Sequence, residues 1–226
     1  MSASPPGRRR TLAPSGRAAS SFTWVLGVAC VLALAYITVN SLRTEGPGSR
    51  GVPVGAVLPP FAAPLATGTL EGDANVARRA GEGGARPACR VRGPQILNSC
   101  QLAERGPVVL AFFATLDERC QDQVDQLERL RPRFPGVQFA AVSIRGGRDR
   151  TREVVRKRGW ALPVAHDADG AVANAYAVAV CPTLTFAEVG GRVAGTSLGL
   201  LAGAALEARV RRIVSRSRAR GWRPPR

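Results

Sequence analysis

The sequence predicts an α/β domain with parallel strands and crossover helices, carried behind one membrane-spanning helix. Three stretches predict it. Val108-Val109-Leu110-Ala111-Phe112-Phe113 is a continuous apolar run of strand length, and after Ala114-Thr115-Leu116 the pattern turns helical from Asp117 to Leu130. A second apolar run, Val137 to Ile144, is followed after Gly146-Gly147 by a basic helical stretch, Arg148 to Arg158, with Val154 and Val155 facing inward. Strand, helix, strand, helix implies parallel strands, because only a parallel pair needs so long a crossover. The third stretch lies at the N-terminus: Ala18 to Leu42 holds no charged residue, and Phe22 to Val39 is almost wholly apolar.

Composition bounds the partners. The 226 residues carry a formal charge of +16, which by itself suggests an anionic partner. Yet 31 of the 32 basic residues are Arg, with Lys157 the single Lys, and Ala, Gly and Pro are abundant, so the charge reads as a chain-wide bias. Aromatics are 5%, and no basic run is interleaved with them as a base-stacking surface requires. No nucleic-acid partner is expected.

In chain order, residues 1–21 read as a polar cytoplasmic tail containing Arg8, Arg9, Arg10 and Arg17. Residues 22–42 form the anchor: about 20 apolar residues cross a bilayer as a helix, and Trp24 and Tyr36 supply interfacial aromatics. Basic residues before the span keep the N-terminus inside, so the expected protein is a single-pass cell-membrane protein with its domain outside. Cleavage after Ala33-Leu34-Ala35 is an alternative that would release the domain, and Leu26 to Cys30 resembles a lipoprotein box only loosely. Residues 43–53 are a Gly/Pro/Ser tether, 54–215 the domain and 216–226 a basic tail.

Within the domain, Val54 to Leu65 leads into a short hairpin that Gly68 and Leu70 complete, and Glu71 to Pro87 has little to bury and reads as an exposed loop. His166 to Gly170 is a loop before a short helix, Ala171 to Tyr176. Leu184 to Val189 and Arg192 to Thr196 flank Gly190-Gly191, a two-residue hairpin signal. The last helix spans Gly203 to Ser215, with Leu206, Val210 and Ile213 on one face.

Five cysteines are present. Cys30 falls in the anchor, leaving Cys89, Cys100, Cys120 and Cys181, an even number that suggests two disulfides in an oxidising compartment, with three connectivities open. A bond between Cys89 and Cys100 across Arg90 to Ser99 would staple a segment with little core of its own; a redox role for that pair is the alternative. No Cys-x-x-Cys pair exists and His166 is the single histidine, so no metal site is expected. As a lone loop histidine it is not assigned a catalytic role.

The central stretch, Phe112-Phe113-Ala114-Thr115-Leu116-Asp117-Glu118-Arg119-Cys120, resembles the aromatic-aromatic-Ala-Thr-Trp-Cys-x-x-Cys segment of thioredoxin-fold proteins, particularly TlpA/ResA-like and redoxin (AhpC/TSA-type) proteins. Tyr176 to Phe186 resembles the family's Tyr-x-Val-x-x-x-Pro-Thr segment, in which the proline is cis and faces the cysteine motif. The resemblance implies a thioredoxin-like three-layer α/β/α domain with a central mixed sheet. It also places Asp117 where the attacking cysteine stands, Cys120 at the resolving cysteine, and Cys181 directly before the cis-proline, Pro182.

A carboxylate cannot form a disulfide, and the charges of Asp117 and Glu118 tend to raise the pKa of the Cys120 thiol, with Arg119 opposing. Asp117 is instead a candidate helix cap. Three arrangements are open for Cys120 and Cys181: a relocated redox pair, a structural disulfide, or two unpaired thiols. The expected function is thiol-disulfide exchange with protein thiols or disulfides, without a cofactor, carried by Cys120, Cys181, Pro182 and Asp117. A catalytically inactive partner-binding module is the alternative. A thiol peroxidase fits less well, because its Pro-x-x-x-Thr-x-x-Cys pattern needs Pro and Thr where Phe113 and Asp117 stand, and no arginine occupies the segment just before Pro182.

Overall fold

A computed structural model describes residues 19–43 and 50–225. The chain forms two units, divided at Gly46/Pro47. The first contains helix α1, Ala19–Arg43, with the described side chains 24–38 exposed along it. Among the described residues, no helix is long and apolar enough to cross a membrane. The tail, residues 1–18, and most of the tether, residues 44–49, lie outside the described residues, as do the side chains at both ends of the expected anchor.

The second unit contains β1 (Ala62–Pro64), β2 (Ile96–Asn98), α2 (Ser99–Arg105), β3 (Val108–Ala114), α3 (Glu118–Leu130), β4 (Gln138–Arg145), α4 (Arg148–Arg158), β5 (Val164–His166), α5 (Ala171–Ala175), β6 (Thr183–Ala187), β7 (Val193–Leu198) and α6 (Gly203–Ala219). Five strands form one sheet in the order β5-β4-β3-β6-β7. β3, β4 and β5 run parallel, and β6 and β7 run antiparallel to their neighbours, so the sheet is mixed. β3 is central and buried at every residue, which is why its sequence is continuously apolar instead of alternating.

The two faces of β3 divide the core. Val109, Ala111 and Phe113 face a cluster with Val124 and Leu127 of α3, Val154 and Val155 of α4, and Leu206, Val210 and Ile213 of α6. Val108, Leu110 and Phe112 face a second cluster with Phe61, Leu97, Leu102, Val172 and Tyr176. Successive strand residues point to opposite faces, so one seven-residue strand serves both cores and a three-layer α/β/α arrangement results.

The tyrosine before the Pro182 segment anchors the second core. Tyr176 is fully buried; its ring lies 5.0 Å from Phe112 and edge-on to Phe61 at 5.7 Å, and its hydroxyl donates to the Pro59 carbonyl at 2.9 Å. Residues 55–58 run along β7, with Gly55 N–H donating to Val193 O and Leu58 N–H to Gly191 O, so part of this edge is covered. The β6–β7 connection turns at Gly190 and Gly191, both at positive φ (80° and 82°), as the sequence signal requires.

Four local expectations change. β1 does not form a hairpin with Gly68 and Leu70; it pairs antiparallel with β2 and bridges to Asn75, while Thr69 and Leu70 N–H groups donate to the Gln95 side chain. A distant partner replaced the local one because Leu97 of β2 supplies the apolar burial that Gly68 cannot. The segment 71–87 is not wholly exposed, since Ala74 and Ala77 are buried. His166 ends strand β5 instead of opening a loop. α6 continues to Ala219 because buried Ser217 accepts the Val189 N–H at 2.9 Å, which ties the helix end to the β6–β7 turn.

Cys89, in a single helical turn (Ala88–Arg90), is bonded to Cys100 of α2, with α-carbons 5.4 Å apart. Buried Asn98 reinforces the same turn. Its amide donates to Ala88 O and Val91 O, both at 2.8 Å, while its carbonyl caps α2 by accepting the Gln101 N–H.

Candidate redox site

The site lies where β3 ends and α3 begins. Beyond Ala114 the pairing with β4 shifts register, and the N–H of buried Thr115 donates to Arg145 O at 3.2 Å. Close approach here requires glycine: Gly146 has φ +98°, and a Cβ on it would meet Thr115 Oγ1 at 1.9 Å. Leu116 then projects into solvent, 81% exposed. Asp117 caps α3 by accepting the Arg119 N–H at 3.0 Å, and Gln121 Nε2 donates back to Thr115 O at 2.9 Å. Cys120 follows in the first turn, fully buried, and heads the inward stripe continued by Val124 and Leu127.

Cys181 comes from the segment leading into β6, the strand that pairs with β3, and packs against the same core cluster as Cys120. Its α-carbon is 5.7 Å from that of Cys120 and the two are joined as a disulfide, 61 residues apart in sequence. The Ala114 N–H donates to Cys181 Sγ at 3.2 Å. Cys181 is partly exposed, and Val180 beside it is 46% exposed. The Cys181–Pro182 peptide is cis. Pro182 is buried, and its carbonyl accepts the Gly199 N–H at 2.8 Å.

Asp117 is therefore beside the disulfide as a cap, and Cys120, Cys181 and Pro182 converge around it. Two contributors have no signal in the sequence. Fully buried Gln123, one turn beyond Cys120, accepts the Leu201 N–H at 2.7 Å and so ties the 199–201 loop to α3. The Ala114 backbone N–H is the other; every residue has one, and only the end of the strand ladder aims it at a sulfur.

The acidic start of α3 is balanced by a cation from α4's end. Arg158 contacts Asp122 at 2.9 Å and Asp125 at 2.7 Å, and Asp125 also accepts the Trp160 indole N–H at 2.6 Å. Burial works against the charge of Arg158, but its hydrogen bonds and attraction to the two aspartates hold its pKa above the ordinary value. Arg119 lies 3.7 Å from Asp117.

His166 does not join the site. It pairs with Ser143, which pairs with Phe113, so it sits two strands away, roughly 9 to 10 Å across the sheet. Burial lowers its pKa, nearby Arg148 lowers it further, and Asp167 opposes. No group of three or more His, Cys, Asp or Glu among the described residues could hold a metal ion.

A mixed five-stranded sheet between helical layers, with a cysteine in the first turn after the central strand facing a residue before a cis-proline, defines a thioredoxin-fold protein. Residues 94–194, just under half of the chain, match the AhpC/TSA family. Solved structures carry the same fold. A Chlorobium tepidum protein provisionally assigned as the thiol:disulfide interchange protein DsbE matches with a TM-score of 0.57 and 17% identity, over 72% of this chain and 99% of that one. A thioredoxin family thiol:disulfide interchange protein from Chlorobium tepidum TLS matches at 0.54 and 14% identity, over 73% and 99%. Peroxidoxin BcpB from Mycobacterium tuberculosis matches at 0.51 and 17% identity, over 74% and 96%. Comparison with curated proteins gives no match.

Proposed function

We propose that this protein exchanges thiols and disulfides with other proteins through the Cys120–Cys181 pair, in place of a Cys-x-x-Cys motif. The observation that carries the reading is the bond itself, joining the first turn of α3 to the residue before Pro182, with one of its cysteines reaching the surface. Partial exposure alone does not set it apart, since Cys89 and Cys100 are partly exposed as well; its place between the start of α3 and Pro182 does. Thiol-disulfide exchange needs an incoming thiolate to reach a sulfur, and partly exposed Cys181 is the member of the pair that offers one.

The partner class follows from the rim. Leu116 precedes the α3 cap, Val180 precedes Cys181, Leu198 pairs with Thr183 next to Pro182, and Leu200 lies in the loop tied to Pro182 and Gln123. All four are exposed. Apolar side chains around a reactive bond suit a protein segment better than a small polar thiol.

The proposal includes a tether. The uncharged stretch from Ala18 to Leu42, preceded by four arginines, would hold the domain outside the cell membrane, where disulfides persist. Protease accessibility in intact cells, with sequencing of the mature N-terminus, tests this; digestion of the domain only after lysis would reject it.

The exchange reading is tested by mapping the disulfides of the outer domain without reduction and titrating each bond against a glutathione series. A Cys120–Cys181 bond that opens within the range of known exchange catalysts while Cys89–Cys100 resists supports it. Two equally resistant bonds would leave a binding module on a thioredoxin scaffold.

A further inference from the structure

We infer that Cys181 is the sulfur attacked by the partner's thiolate, with Cys120 as the leaving group, so that the mixed disulfide forms before Pro182 and not on the helix. The inference rests on the exchange reading above. Three observations carry it.

The first is access. A thiolate must approach one sulfur from the side opposite the other, along the S–S axis. Cys120 is fully buried within the first core, whereas Cys181 packs against that core while partly exposed and follows exposed Val180. The second is the leaving group. Cys120 stands in the first turn of a thirteen-residue helix, where unpaired N–H groups and the helix dipole stabilise a departing thiolate. The adjacent acidic charges oppose this: Asp117 is engaged by the Arg119 N–H and guanidinium and Asp122 by Arg158, which leaves Glu118 as the acid set against it. The third is the Ala114 N–H, which donates to Cys181 Sγ and would stabilise negative charge there when Cys181 departs in turn.

The reaction is then balanced without any other reagent. The partner's thiolate bonds to Cys181 Sγ, the S–S bond breaks, and its electron pair leaves on Cys120 Sγ, which takes up a proton. The partner's second thiolate attacks its own sulfur in the mixed disulfide and expels Cys181 as thiolate. A partner dithiol is oxidised by two electrons and the Cys120–Cys181 bond is reduced to two thiols; the reverse sequence reduces a partner disulfide.

The test uses glutathione disulfide as probe and acid quenching, with reduced Cys120→Ser and Cys181→Ser variants of the full chain. Cys120→Ser should form the glutathione adduct on Cys181 at least tenfold faster than Cys181→Ser forms one on Cys120. Limited alkylation of the reduced wild-type protein gives a second measurement that needs no variant: iodoacetamide should label Cys181 before Cys120. Faster adduct formation on Cys120, or its earlier alkylation, overturns the assignment while leaving exchange intact. A wild-type bond that never exchanges with glutathione instead overturns the exchange reading, and this assignment with it.

Discussion

The Asp117 carboxylate accepts the backbone N–H of Arg119 at 3.0 Å, so the residue that the family resemblance sets at the attacking-cysteine position caps the helix that carries Cys120. An acid at this place is thus not simply a lost thiol. Its cap satisfies one of the donors that every helix start leaves unpaired.

Asp117→Ala should destabilise the domain by about 0.5 to 2 kcal/mol, and Asp117→Asn, which retains an acceptor oxygen, by clearly less. Urea unfolding at neutral pH checks the order of the two. Equal losses would mean that charge, and not the cap, is what Asp117 contributes.

Removing the Cys89–Cys100 bond should cost stability without touching exchange. The bond closes a short loop, with the cysteines 11 residues apart, and such a link contributes on the order of 2 to 4 kcal/mol by restricting the unfolded chain. Thermal unfolding of the double Ser variant should show that loss, with glutathione exchange at Cys120–Cys181 unchanged. Slowed exchange would place both bonds in one redox relay.

Tyr176→Phe removes the donor to the Pro59 carbonyl while keeping the ring packed against Phe61 and Phe112. A buried acceptor left without its partner costs about 1 to 3 kcal/mol. Denaturant titration measures it, and a loss within error would mean that water replaces the hydroxyl.

Gln123→Leu keeps the volume of a fully buried side chain but deprives the Leu201 N–H of its acceptor. The expected result is a loss of about 1 to 3 kcal/mol together with faster amide hydrogen exchange at residues 199–201. Loss of stability with unchanged protection in that loop would show that Gln123 acts by packing alone.

His166 should make stability sensitive to mild acid. Its folded pKa lies below the ordinary 6.5, chiefly through burial and secondarily through Arg148. The unfolded chain therefore binds the proton more readily, and the stability present above pH 6.5 is lost as pH falls through the lowered folded value. A difference profile between wild type and His166→Gln should fall over that window; a flat profile would mean that other groups set the acid response.

Much of the architecture was legible because it depends on local patterning. The apolar run Val108 to Phe113 of β3, the helical pattern of α3, the bounds of α4, the Gly190-Gly191 turn and the mixed sheet implied by the family resemblance all appear in the structure. Burial on one or both faces imposes a period on a sequence, and a period can be read. The pairing of β1 with β2 and the extension of α6 to Ala219 could not be read this way, because each depends on a distant partner: Leu97 in one case and the Val189 N–H in the other.

The site divides along the same line. The sequence by itself determined which residues have sulfur, the capping role open to Asp117, and the likeness that set Cys181 before Pro182. Tertiary structure alone decided that Cys120 is enclosed while Cys181 reaches the surface, that the Ala114 N–H meets Cys181 Sγ, and that Gln123 holds the neighbouring loop. Residue type and spacing specify what a group can do, whereas exposure and hydrogen-bond direction are created only when strands and helices distant in sequence pack together.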